Sequence, residues 1–234
     1  MFDKIAIWRD ADFPFDQQSQ VNSILAMAEK ENPRVISRTQ RRASRTRKRL
    51  LDAALALFNE KGLDATAIED ITERADVGKG TFYRHFGNKE AVVAALIEGA
   101  VDHLLDRMKP ARVPQGLDDA LEQLIKAHQA FFAESSNEFL LLFQGRLLLR
   151  LQQAAPAELE PAYSRYLLEM GKLISAFLPQ PADPAKVRQS SAAIAGFVFV
   201  ASSFARISPA EEAEKNMQPL TRSFVMGLTA LLAR

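Results

Sequence analysis

The chain has 234 residues, 47% hydrophobic and 25% charged, with 30 lysines and arginines against 29 acids; these are the proportions of a globular protein and exclude a wholly disordered or fibrous chain. It contains no cysteine, which excludes disulfides, thiol catalysis, thiol redox sensing and cysteine-ligated zinc. No apolar run approaches the roughly 20 residues of a membrane span, and Met1 to Asp12 lacks the basic start and long apolar core of a signal peptide, so no membrane contact is expected and the expected compartment is the cytoplasm.

Residues 1–43 read as an amino-terminal extension. Phe2, Ile5, Ile7, Trp8, Phe13 and Phe15 are unusually apolar for a tail, and Val21, Ile24, Leu25 and Ala28 have helical spacing. Two readings stay open: the segment docks on the body or on another protein, or translation starts at Met27 and leaves a short basic arm. The net charge is only +1, yet Arg34, Arg38, Arg41, Arg42, Arg45, Arg47, Lys48 and Arg49 form a stretch with no acid. That stretch is either a solvated tail or a local attractor for a polyanion; up to residue 43 it is expected to be a flexible arm.

Helical periodicity dominates from Ser44 onward, with no alternating strand pattern and no internal repeat, so the expected fold is all-α. The first helix spans about Ser44 to Lys61, with Leu50, Ala53, Ala54, Leu57 and Phe58 on one face, and Gly62 stops it. Thr66-Ala67-Ile68-Glu69 fits a capping box that starts a short helix lined by Ile68, Ile71 and Ala75. Asp76 tolerates the left-handed conformation of a tight turn. A third short helix begins near Gly78, with Phe82 and Phe86 turned inward and Lys79, Thr81, Tyr83, Arg84 and His85 outward. Asn88 caps a fourth helix that reaches about Lys109. Longer helices follow at about Leu117 to Glu134, Asn137 to Gln153, Pro156 to Leu178, Pro184 to Ile207 and Pro209 to Ala233, separated by proline and glycine.

The short connection between the second and third helices is that of a helix-turn-helix, which lays one helix across the backbone and aims the other into the major groove. From Gly78 to Phe86 there is no carboxylate, and Gly78 and Gly80 allow close approach to a phosphate. Residues from about Arg45 to His103 resemble the DNA-binding domain of the tetracycline-repressor (TetR) family. The resemblance rests on RLLDAALALFNEKG at Arg49 to Gly62, on Thr66 with Ile71, and above all on VGKGTFYRHFGNKE at Val77 to Glu90. Three positions depart from the family pattern: Thr72 replaces a small alanine at the helix crossing, Asp76 a glycine in the turn, and Gly78 a serine cap. The resemblance implies that Lys79, Gly80, Thr81, Tyr83, Arg84 and His85 meet DNA from the recognition helix, while Thr66 and Lys89 hold phosphates at helix starts. Lys79 and Arg84 are the candidates for base edges. It also gives the preceding basic arm a partner, the adjacent minor groove.

Residues 44–104 are thus expected to be the DNA-binding domain, and 105–234 a helical domain that binds an effector and dimerises. Ala185, Gln189, Ala192, Ala193, Gly196 and Ser203 form a small-residue face; Met217, Leu220, Thr221, Phe224, Leu228 and Leu231 form a stripe to pack against it in a homodimer, the alternative being packing within one chain. Phe139, Phe143, Arg146 and Arg150 share one helical face and suit an amphipathic molecule with an anionic end, the alternative being exposed arginines paired with Glu138 or Glu158. His103 and His128 have no carboxylate pattern beside them, so no metal set is expected. No Ser-His-Asp signature, GxxxxGK loop or HExxH is present. The expectation is a ligand-responsive regulator of transcription, a repressor released from a palindromic operator by a small molecule, and neither an enzyme nor a cofactor protein. An architectural DNA binder without effector is the alternative, and activation instead of repression stays open.

Overall fold

The computed structural model describes residues 37–110, 112–138, 141, 160–178, 182–205 and 210–233. Among them every regular element is an α-helix: α1 (Arg38–Lys61), α2 (Ile68–Arg74), α3 (Lys79–His85), α4 (Lys89–Met108), α5 (Leu117–Glu134), α6 (Glu160–Ser175), α7 (Pro184–Ala205) and α8 (Ala210–Leu232). The helix expected at Asn137 to Gln153 is helical over 136–138 and at 141, and the rest of it lies outside the described residues.

Helix α1 starts at Arg38 and not at Ser44, which corrects the expected flexible arm for the residues from Arg38 onward. The cause is a capping box. The Ser37 hydroxyl accepts from the Gln40 amide at 3.2 Å while the Gln40 side chain accepts from the Ser37 amide at 2.8 Å, satisfying two orphan donors reciprocally. Arginine and glutamine are good helix formers, and nothing between Ser37 and Leu50 breaks the run. At the other end Gly62 adopts a positive φ of 86°, and its amide bonds the Phe58 carbonyl at 3.0 Å, a conformation that residues with a Cβ resist.

Leu50, Ala53, Ala54, Leu57 and Phe58 of α1 are buried with Ile71 of α2, Phe82 and Phe86, and the inner face of α4. That face is Val92, Val93, Ile97, Ala100, Val101, Leu104 and Met108. Asn88 caps α4 as expected, accepting from the Ala91 amide at 2.8 Å. The same helix packs on α1, α5 and α6, so it carries one continuous core from the helix-turn-helix into the larger helical body. Its outer side is tied by charge: Arg165 on α6 donates to Asp102 at 2.6 Å and to Glu98 at 2.5 Å, and Arg107 pairs with Glu134 of α5. His103 faces a carboxylate after all, Glu138 at 2.9 Å; the spacing hid it because the partner lies beyond α5. No group of three or more metal-binding side chains occurs among the described residues.

In the larger helical body, His128 of α5 is fully buried. It has Nδ1 2.6 Å from the Leu124 carbonyl and Nε2 2.7 Å from the Tyr166 hydroxyl of α6. The Leu124 carbonyl can only accept, so Nδ1 carries the proton and Nε2 accepts from the tyrosine. Burial holds the imidazole down at about 4 and pushes the Tyr166 phenol up. Helices α6 and α7 cross closely at Gly171, where a Cβ would stand 3.2 Å from Val187 Cγ1. On α8, Phe224 stacks on Phe197 of α7 at 4.2 Å, and Val225, Leu228 and Leu232 are buried. Phe224 and Leu228 therefore pack within the chain, which divides the stripe expected for a partner. Leu220, Leu231, Met226 and Val200 are exposed, as are Ala185, Gln189, Ala192 and Gly196. No helix among the described residues is long and apolar enough to cross a membrane.

Candidate nucleic-acid interface

Helices α2 and α3 are joined by the turn Ala75 to Gly78. Asp76 takes φ 50°, the left-handed state its sequence type allows. The Val77 amide bonds the Thr72 carbonyl at 3.0 Å, closing the turn. Thr72, at the expected crossing, is buried and returns its hydroxyl to the Glu69 carbonyl at 2.9 Å, so the extra polar atom is satisfied locally.

Helix α3 is aimed by its two phenylalanines. Phe82 is 0% exposed and Phe86 4%, with ring centroids 5.9 Å apart. Tyr83 meets the edge of Phe82 but leaves 56% of itself in solvent. Lys79, Gly80 and Arg84 are exposed, and Thr81 and His85 half-buried. Arg84 reaches Thr81 Oγ1 at 3.4 Å. The Lys79 ammonium lies 2.5 Å from the Glu69 carboxylate at the start of α2, which holds Glu69 below the usual carboxylate range and raises Lys79. So the foremost cation of α3 already carries a counter-charge, one that a phosphate or a base edge has to displace. Sequence reasoning placed Glu69 in a cap and missed this pair.

Thr66 is 1% exposed and donates its hydroxyl to the Gly62 carbonyl at 2.7 Å, so its one side-chain donor is already used within the chain. The expected box on Thr66 and Glu69 does not form: the helix starts one residue later, after Ala67, whose side chain cannot cap it, and only the reverse half of a box is present, the Ala67 amide donating to Asp70 at 2.8 Å. Burial of Thr66 decides between the two frames. Lys89 is half-buried, its ammonium donating to the carbonyls of Leu63 at 2.7 Å and Thr66 at 3.0 Å. It thereby closes the loop between α1 and α2 against the start of α4. Lys89→Ala should lower the melting temperature, since each hydrogen bond to a charged group contributes about 1.5 to 3 kcal/mol; a calorimetric scan with unchanged melting would leave those bonds without weight.

The basic stretch is also part of the frame. The Arg47 guanidinium covers the Phe86 ring at 5.0 Å, and Arg49 donates to the carboxylate and carbonyl of Asp76 at 3.1 and 3.3 Å. No sequence pattern announced either contact, because the partners lie on other elements.

With this geometry in place, residues 50–96 match the family profile described as bacterial regulatory proteins, tetR family. Over these residues the chain is similar to the TetR family of regulators. The repressor KstR2 of Rhodococcus jostii is 40% identical over 81 residues, 34% of this chain and 39% of that protein. Curated relatives of this kind are matched over 31 to 61% of their own length, so the chain spans less than two thirds of them. They are helix-turn-helix-type regulators of transcription, repressors among them. The fold extends further than the sequence similarity. GusR of Salmonella enterica superposes with a TM-score of 0.62 at 21% identity, covering 85% of this chain and 99% of that one. The multidrug binding protein EbrR complexed with imidazole gives 0.58 at 17%, covering 80% and 95%. The TetR fold, a helix-turn-helix domain followed by a larger helical domain, is thus present. Phe139, Phe143, Arg146 and Arg150, the expected ligand contacts, lie outside the described residues.

Proposed function

We propose that the chain is a ligand-responsive TetR-type repressor, acting in the cytoplasm as a homodimer on a palindromic operator and released from it by a small molecule. The observation that carries this is α3: an outer face with no carboxylate from Lys79 to His85, fixed by two buried phenylalanines. Lys79 and Arg84 are assigned to base edges, Gly80, Thr81, Tyr83 and His85 to the rest of the recognition surface, and Lys89 to a phosphate at the start of α4. Thr66 keeps a packing part. Tyr83→Phe should weaken specific and nonspecific duplexes alike, because a phosphate contact carries no sequence information; a loss confined to one operator sequence would reassign the hydroxyl to a base.

Dimerisation is assigned to α7 and α8, whose exposed small and apolar residues support close approach of two copies. Two recognition helices about 34 to 36 Å apart are needed to read both halves of a palindrome. The effector is assigned to the larger domain, with Phe139 and Phe143 offering an aromatic row and Arg146 and Arg150 an anion site. EbrR, of similar fold, is a multidrug binding protein, which supports a small molecule as the signal. Helix α4 is the natural coupler, since Arg165 holds its middle and the helix-turn-helix its start.

Calorimetric titration of a panel of aromatic and fatty carboxylates into free protein and into the protein-operator complex tests this. Linkage requires the operator to weaken the effector by the same factor as the effector weakens the operator, about 5- to 150-fold. Equal affinity in both titrations would sink the allosteric reading, and unchanged affinity in Arg146→Met and Arg150→Met would move the anion site.

A further inference from the structure

Helix α1 runs well beyond the domain it belongs to. Its first buried residue is Leu50, while Arg38, Arg41, Arg42 and Arg45 are all exposed. They recur at three- and four-residue spacing and so share one stripe, which Arg49 continues. Among the described residues no acid stands on α1 before Asp52, and none of these four guanidiniums is paired. The cations after them are engaged: Arg47 on Phe86, Lys48 with Asp52 at 2.7 Å, Arg49 on Asp76. Those anchors fix the direction of the projecting turns relative to α3.

The charge arrangement works against the helix that carries it. The positive end of the helix dipole disfavours cations in the first turn, and α1 has no acid there. A stretch that breaks a local rule without local gain marks a surface selected for something else. A polyanion that supplies the missing negative charge is a duplex. An extended arm would enter a minor groove about 6 Å wide, but an α-helix with side chains is about 10 to 12 Å across and is excluded from it. What it can reach is the phosphate ridge. Arg38 to Arg45 spans about 10 Å at ~1.5 Å per residue, about three base-pair steps.

We propose that the projecting turns of α1 are a preformed phosphate-binding rod that grips DNA flanking the half-site read by α3. This rests on the DNA-binding reading above and adds to it a footprint and a replacement for the minor-groove arm. Because the capping box holds the helix before DNA arrives, little ordering entropy opposes the contact.

The experiment uses the full chain and fluorescence anisotropy with two duplexes: the selected operator trimmed to its conserved positions, and the same site extended by roughly five base pairs of arbitrary sequence on each side, half a helical turn. Wild type should bind the longer duplex about tenfold or more tightly. The variant with Arg38, Arg41, Arg42 and Arg45 all changed to Gln should lose that gain, keep its preference for operator over scrambled sequence, and lose about three to four units of salt slope per protomer. Ala43→Pro keeps every charge but breaks the rod, and should lose most of the length gain too; circular dichroism and melting confirm that the rest of each variant is folded. Equal affinity of wild type for both duplexes, or a quadruple variant with full gain and slope, would overturn the rod. A full gain in Ala43→Pro would overturn its helical nature in favour of a flexible arm. If wild type does not distinguish operator from scrambled DNA at any length, the DNA-binding reading fails and takes this inference with it.

Discussion

Alanine at Phe82 is expected to abolish operator binding by unfolding the domain that presents α3. The ring is fully buried, packs against Phe86 and meets the edge of Tyr83. Truncating a buried phenylalanine costs ~3 to 5 kcal/mol, because the seven-residue helix cannot close over the cavity it leaves. Total stabilities of about 5 to 15 kcal/mol leave little after that loss. Circular dichroism melting should show an early transition at the helix-turn-helix. Native melting without DNA binding would mean that Phe82 acts on DNA and not on the core.

Acidification should destabilise the larger helical body already above the pH at which its carboxylates titrate. Burial depresses His128 to about 4, against about 6.5 in an unfolded chain. Between those values the unfolded state binds a proton that the folded state refuses, so stability is complete above pH 6.5 and falls as pH drops towards 4. Each unit corresponds to ~1.4 kcal/mol, so the whole window removes about 3 kcal/mol. Asp119, held at about 2 chiefly by Arg112 and also by the Gln115 amide, loses its contribution only below the ordinary aspartate range. Chemical denaturation between pH 7 and 4.5 isolates the histidine. Wild type should lose stability over that range, and His128→Gln, whatever its stability at pH 7, should vary much less. An identical pH slope in both would place the acid sensitivity elsewhere.

The readable parts of the sequence were those in which one residue type admits few conformations. Proline and glycine at Pro114 to Gly116 set the start of α5, Gly62 ended α1, Asp76 took the left-handed turn, and the four-residue spacing of Phe82 and Phe86 gave the inner side of α3. The errors arose where two frames differ by one residue or where charge argued against helix. Thr66 and Ala67 offer competing starts for α2, and only burial of Thr66 chooses between them. The arginines from Arg38 read as a tail because an acid-free run of like charges has the pattern of a solvated arm, although Ser37 and Gln40 already spelled a capping box. His128 and Tyr166 lie 38 residues apart on different helices, a pairing that no local pattern encodes.

Selection of binding sites from random-sequence duplex DNA by the full chain, repeated with Arg84→Ala, addresses the central claim most directly. The expected result is enrichment of an inverted repeat whose half-sites lie about one helical turn apart or a multiple of it. With Arg84→Ala, enrichment should weaken by roughly 1 to 3 kcal/mol at one position of each half-site, the value of one bidentate base contact. Failure to enrich any sequence, or enrichment of a site indifferent to Arg84→Ala, would contradict the assignment of α3 as the element that reads DNA.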